Sequence, residues 1–233
     1  MIVVLIPIAF TPMIIAFIWL RNTERYSRES WIPILFTFIW GAIVATTFSL
    51  VLETIVSDYI VSFFILAVVV APIVEEFAKP LGIYFIRKEI DEIEDGLIYG
   101  AVAGLGFAAT ENLIYGVRFW DDGLIVLISL FYIRTIGSSL LHASATAFTG
   151  YGYSAKLIKK RSFLSILPFF LLAIAAHSLF NLFAFSAQTI NQIIGVVIAV
   201  LFAVTLLIWI RKKIKIFDER NITKGSTPLA DNP

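Results

Sequence analysis

The chain has 233 residues, 59% hydrophobic and 15% charged, with a net charge of +1 and no cysteine. Its mean hydropathy is +0.91. A soluble domain is about a quarter charged and under half apolar, so a soluble globular class is excluded. The balanced charge argues against a nucleic-acid footprint, and the absence of cysteine rules out disulfides, thiolate metal ligands and a cysteine nucleophile.

The apolar residues fall into seven runs, roughly 2–20, 32–52, 60–86, 96–117, 124–150, 163–186 and 190–210. Runs of about 20 apolar residues cross a bilayer as helices, so the expected fold is all-α, a polytopic membrane bundle of about seven helices. The N-terminal run lacks a basic n-region and a small-residue cleavage site, and reads as a retained first helix. Cations concentrate in alternate connections: Arg21, Arg25 and Arg28 in the first, Lys156, Lys159, Lys160 and Arg161 in the fifth, and Arg211, Lys212, Lys213 and Lys215 after the last run. The positive-inside rule then places the N-terminus outside and the C-terminus in the cytoplasm. Residues 1–216 form one transmembrane domain in this scheme, with a core at about 60–186. The polar stretch 217–233 is expected to be a disordered tail.

The third run contains Glu75, Glu76 and Lys79, bracketed by Pro72 and Pro80. A charge at the bilayer centre costs about 2.5–3.5 kcal/mol on insertion scales, and two adjacent carboxylates repel. Lys79 lies one helical turn from both and can neutralise one of them. The prolines each free a backbone carbonyl, which suits a kinked helix lining a cavity. In the fourth run, Gly96, Gly100 and Gly104 make one bare face for close helix packing, and Glu111 and Asn112 follow. The fifth carries Arg134, Ser138, His142 and Thr146 at four-residue spacing, and the sixth carries His177 and Asn181 one turn apart. At about 1.5 Å rise per residue, Glu75, Glu111, His142 and His177 all fall in a band around the midplane.

A buried polar network that fixes helix register explains any one of these residues, with Lys79 and Arg134 as counter-ions. It explains the set less well, because each intramembrane ionisable group is costly and functional by default. Two functional classes fit. A hydrolase can use imidazoles and carboxylates to hold zinc or water, with a spare carboxylate as base. A proton- or metal-ion-coupled transporter uses the same residue types, though such folds often show paired broken segments, and the glutamate pair here occurs once.

The pattern Glu75-Glu76-x-x-Lys79, Asp95-Gly96-Leu-Ile-Tyr-Gly100, Gly104-Leu-Gly106-Phe107-x-x-x-Glu111-Asn112-x-x-Tyr115, His142 and His177-x-x-x-Asn181 resembles the PrsW family of membrane proteases. That family is in turn similar to the CAAX prenyl proteases, which share a glutamate pair, a Phe-x-x-x-His motif and a His-x-x-x-Asn motif. Here Glu111 stands where that histidine would be, and His142 is an addition. The resemblance implies an intramembrane peptidase, usually described as metal-dependent, in a prokaryote-like cell membrane. Its substrate would be a membrane-embedded or membrane-anchored protein. The best-known enzyme of this type makes the first cut in a membrane-bound anti-sigma factor.

The resulting expectation makes Glu75 the general base on the attacking water, with Glu76 held by Lys79 or helping to hold a metal. Glu111, His142 and His177 are the expected ligands of a zinc-like ion, the ligand count of a catalytic site with one position open. Asn181 would donate to the developing oxyanion, and Asn112 would do the same or orient Glu111. A metal-free version leaves Glu75 and His177 to activate the water directly.

Overall fold

A computed structural model describes residues 1–186 and 192–225, and among these every regular element is helical. The described residues form seven long helices: α1 (Ile2–Arg21), α2 (Trp31–Ser57), α3 (63–85), α4 (Ile93–Arg118), α5 (Leu124–Ile158), α6 (Phe163–Phe185) and α7 (Gln192–Gly225). Six of them are long and apolar enough to cross a membrane. The exception is α3, which carries the two glutamates and the lysine and is broken by a turn at Lys79 and Pro80. Residues 217–225, expected as part of a disordered tail, instead continue α7 as helix. The rest of that stretch lies outside the described residues.

The distribution of side chains is that of a protein in hydrocarbon. Val3, Ile32, Ile125 and Leu201 are exposed, while Glu76, Lys79, His142, Thr146 and His177 are buried. Outward apolar surface costs nothing in lipid, and inward polar groups must satisfy each other there.

The centre of the bundle is α4, packed between α5 on one side and α1 and α2 on the other. Its glycines explain why it can be central. A Cβ on Gly96 would strike the backbone of Gly150, one on Gly100 the backbone of Thr146, and one on Gly104 the carbonyl of His142. Each step of four forward on α4 is a step of four back on α5, so the helices run antiparallel in backbone contact. A second contact of the same kind faces α2, where Gly41 meets the Ala103 carbonyl and Gly106 the Phe38 carbonyl. Small residues permit this approach, and van der Waals contact is what holds helices together in lipid.

Three helices widen locally into π turns: Trp40–Ala45 in α2, Leu66–Val70 in α3 and Arg134–Ser138 in α5. Such turns interrupt the ordinary carbonyl pairing, and in lipid a freed carbonyl needs a donor. Side chains supply it. Thr110 Oγ1 donates to the Ala42 carbonyl at 2.7 Å, Asn181 Nδ2 to Ala67 at 2.8 Å and Ser139 Oγ to Arg134 at 3.1 Å.

Replacing Gly104 by valine should cost about 1–3 kcal/mol, the usual penalty of overpacking a filled core, and should carry His142 out of register. Thermal unfolding in detergent measures the loss. Ile128→Val, at an exposed apolar position of α5, should leave the midpoint in place.

Candidate active site

The site begins at the break in α3. Pro80 has no N–H to give, and the regular helix stops at Ala78. Lys79, the last residue before the break, turns its side chain back one turn to the two glutamates. It is fully buried, and its Nζ lies 2.8 Å from Glu75 Oε2, 2.8 Å from Glu76 Oε1 and 2.8 Å from His142 Nδ1. One ammonium thus uses its three hydrogens on three partners. It also stands 4.3 Å from the ring centroid of Phe107 on α4.

This arrangement fixes the imidazoles. An ammonium can only donate, so His142 Nδ1 accepts and Nε2 carries the proton, donated to Glu111 Oε2 at 2.8 Å. His177 Nδ1 donates to Glu76 Oε1 at 2.9 Å, which leaves Nε2 with its lone pair. Thr146 Oγ1 completes Glu76 by donating to its Oε2 at 2.9 Å. Glu76 therefore has every contact occupied, whereas Glu75 Oε2 stands 3.9 Å from the free His177 Nε2 across an open gap.

Glu111 is held from the other side. Arg134 Nη2 approaches it at 2.7 Å, Arg134 Nε donates to Asn112 Oδ1 at 2.8 Å, and Asn112 Nδ2 donates to Ser139. The guanidinium also lies 3.9 Å from the Tyr115 ring centroid. Three carboxylates, Glu75, Glu76 and Glu111, face two fixed cations, Lys79 and Arg134. With neutral imidazoles the cluster keeps one unit of negative charge, which favours a proton or a cation as a guest.

These groups line a cavity of about 480 Å³ that runs toward the α2–α3 connection. Glu75, Glu111, Arg134, His142, His177 and Asn181 all face it, so the polar residues of four separate runs meet in one chamber. Asn112 and Glu76 are engaged around it. Asn181 is committed in part to the Ala67 carbonyl of the π turn, with a second N–H left over. Glu53 of α2 also lines the chamber, with a buried Oε1 that has no hydrogen-bond donor. In the sequence it reads as an end-of-helix acid. The structure places it inside α2, four residues before Ser57 and in line with Ser49 and Ser57 at four-residue spacing, and that alignment is the signal in the sequence that marks it.

The donor triple that the fold brings together is Glu75, His142 and His177, whose ligand atoms lie within 4.8 Å of one another. Glu111, expected as the third ligand, is outside this group and paired with Arg134 and His142. Two imidazoles and one carboxylate match a catalytic zinc site in type and number, so the residue types fit a divalent ion, while Lys79 and Glu111 occupy both nitrogens of His142 and Lys79 also holds Glu75 Oε2.

Residues 29–210 match the PrsW family intramembrane metalloprotease. The chain belongs to the PrsW family. Two relatives named Protease PrsW share 33% identity with it: one from Clostridioides difficile (strain 630) over 116 residues, 46% of this chain and 48% of that protein, and one from Geobacillus kaustophilus (strain HTA426) over 110 residues, 43% and 46%. The matched stretch spans about half the length of each of these relatives. No solved structure matches the chain. The six spanning helices and the family together make it a multi-pass integral membrane protein.

Lys79→Met should destabilise the fold by about 3–5 kcal/mol, because removing one partner of a buried ion pair strands the other. Adding Glu76→Gln to that variant should restore part of the loss. Denaturant or thermal unfolding of the two variants beside wild type provides the comparison.

Proposed function

We propose that the protein is an endopeptidase that hydrolyses a peptide bond of a membrane-embedded or membrane-anchored protein, with Glu75 as general base. The observation that carries this reading is the gap between Glu75 Oε2 and His177 Nε2. At 3.9 Å it is too long for a direct bond and suits one water hydrogen-bonded to both at about 2.8 Å each. The family assignment favours hydrolysis over an ion-coupled carrier.

In the proposed reaction the water gives hydrogen bonds to Glu75 and to His177 Nε2, which turns its lone pair toward the scissile carbonyl. Glu75 takes the proton as the oxygen attacks, and later gives it to the departing amine. Glu76 acts through His177, holding the Nδ1 proton so that Nε2 stays an acceptor. Thr146 and Lys79 hold Glu76 in turn. The second N–H of Asn181 and the Arg134 guanidinium face the chamber where negative charge develops on the carbonyl oxygen. Whether the cut is the first step in releasing a membrane-bound regulator, as in the best-known enzyme of this type, is a question of substrate that a cellular reporter would answer.

The donor triple supports a metal-assisted version. A zinc-like ion held by Glu75, His142 and His177 would supply Lewis-acid activation of the water and the carbonyl. Lys79 weighs against it, because its ammonium already uses the Glu75 and His142 lone pairs that such an ion needs.

Glu75→Gln keeps the shape and removes the basicity. It should reduce cleavage of a membrane-tethered reporter by about 10²–10⁴-fold, the range of general base catalysis, and undiminished cleavage would remove Glu75 from the role. Metal content of chelator-free, detergent-purified protein separates the two versions. About one zinc per chain, the stoichiometry of a catalytic site, lost in both His142→Ala and His177→Ala, supports the metal; none in any sample supports the glutamate–histidine water.

A further inference from the structure

At the far end of α4 from Glu111 lies a second group of buried acids that the proposed reaction does not use. Glu24 and Glu29 come from the α1–α2 connection and Asp95 from the first turn of α4. All three are buried, and their ligand oxygens lie within 4.8 Å of one another.

Their neutralisation is incomplete. Glu24 Oε2 accepts from the Glu29 backbone N–H, Glu29 Oε2 accepts from Tyr99 Oη–H, and Asp95 Oδ2 accepts from the backbone of Asp91 and Glu92. That leaves Glu24 Oε1 and Asp95 Oδ1, both shielded from solvent, with no hydrogen-bond donor. Arginines are near in sequence but point elsewhere. Arg21 Nε donates to the Glu29 carbonyl and Arg28 Nε to the Glu24 carbonyl, while Arg211 Nε donates to Thr23 Oγ1. Among the described residues none of the three acids has a salt bridge, although the Glu75 cluster is rich in them. Burial pushes the Glu24 carboxyl up to about 9, with Asp95 beside it adding to the rise, and the Glu29 carboxyl up to about 7 against hydrogen bonds from Tyr99 and Asp95 that lower it.

We propose that Glu24, Glu29 and Asp95 form a binding site for a hard divalent cation, Ca²⁺ or Mg²⁺, separate from the catalytic chamber. The donors are all oxygens, the preference of these ions. The spacing suits them: opposite ligands of Ca²⁺ at 2.3–2.6 Å stand about 5 Å apart and those of Mg²⁺ about 4 Å. The two donorless oxygens, Glu24 Oε1 and Asp95 Oδ1, become ligands instead of uncompensated charges. The ion would tie the α1–α2 connection to the start of α4, the helix whose other end carries Glu111. Asp218 of α7 joins the same connection by accepting from the backbone N–H groups of Arg25 and Tyr26, so three helices would converge on the site.

The test uses full-length protein in detergent, stripped with a chelator and dialysed. Its thermal unfolding is then followed against added CaCl₂ or MgCl₂ alone. A bound cation raises the midpoint steadily with the logarithm of its concentration. The expected result is such a rise with one or both ions, retained in His177→Ala and weakened at least tenfold in apparent affinity in Asp95→Asn and in Glu24→Gln. Asn at 95 keeps an oxygen for the helix-start contacts, and the Glu24 variant leaves that start untouched, so one of the pair reports even if the other folds poorly. A flat response in wild type, or the same response in the amide variants, overturns the site. Amide variants more stable than wild type with or without cation would show acids sharing protons, which overturns it equally.

Discussion

The structure depends on one ammonium group. Lys79 Nζ, fully buried, is shared among Glu75, Glu76 and His142. Charges are strongly coupled in such surroundings, so the position of each partner follows from that of the lysine. The helix ends directly after the lysine, at Pro80. Lys79 itself keeps helical geometry, its N–H bonded to the Glu75 carbonyl at 3.0 Å, so the ordinary one-turn spacing aims its ammonium at both glutamates just before the chain turns. His142 then fixes Glu111 through its other nitrogen, and Glu76 fixes His177. The order runs outward from Lys79, and the group it leaves free is His177 Nε2, which faces Glu75 Oε2 at 3.9 Å.

Helix packing sets the distances over which that order operates. The Gly96, Gly100 and Gly104 face brings α5 into backbone contact with α4, and its last step sits at the His142 carbonyl. The same register places Arg134 opposite Asn112 and Glu111. A bare helix face therefore does more than allow association. It fixes which α5 residue stands beside which α4 residue, and so makes the polar pairs possible. The π turns serve the same end. Each shifts the residues after it by a fraction of a turn, and each is stabilised by a side-chain donor, one of which, Asn181, faces the chamber itself.

Much of this was legible in the sequence. The seven runs, the two-glutamate motif with its lysine one turn away, and the stripe on the fifth run all follow from helical periodicity and the cost of charge in lipid. What periodicity cannot give is the distance between helices. Glu111 and Glu75 are equally plausible third ligands beside the two histidines when only height is known; in the structure Glu111 is engaged by Arg134 and by His142 Nε2, while Glu75 is the acid that offers an oxygen near both imidazoles. Glu53 is marked only by its alignment with Ser49 and Ser57, for a related reason. An acid near a helix end reads as solvated unless the fold closes a chamber over it. The π turns leave no sequence mark beyond apolar residues that suit any helix, and the helical continuation of residues 217–225 overrides a polar composition that favours disorder.

The two buried acidic groups are instructive as a pair. Around Glu75, Glu76 and Glu111 the sequence provides a lysine at the right helical spacing on α3 and an arginine on α5, and the carboxylates find them. Around Glu24, Glu29 and Asp95 it provides at least as many cations within a few residues, yet Arg21 and Arg28 bond to main-chain carbonyls instead. Burying an unpaired carboxylate costs several kcal/mol even after relaxation, so a fold that leaves cations beside such a group and does not use them has a different neutraliser. A proton or a metal ion can fill that role. Three carboxylates from two chain segments within 4.8 Å of one another favour the ion, because a proton joins one pair of oxygens while an ion takes an oxygen from each at once.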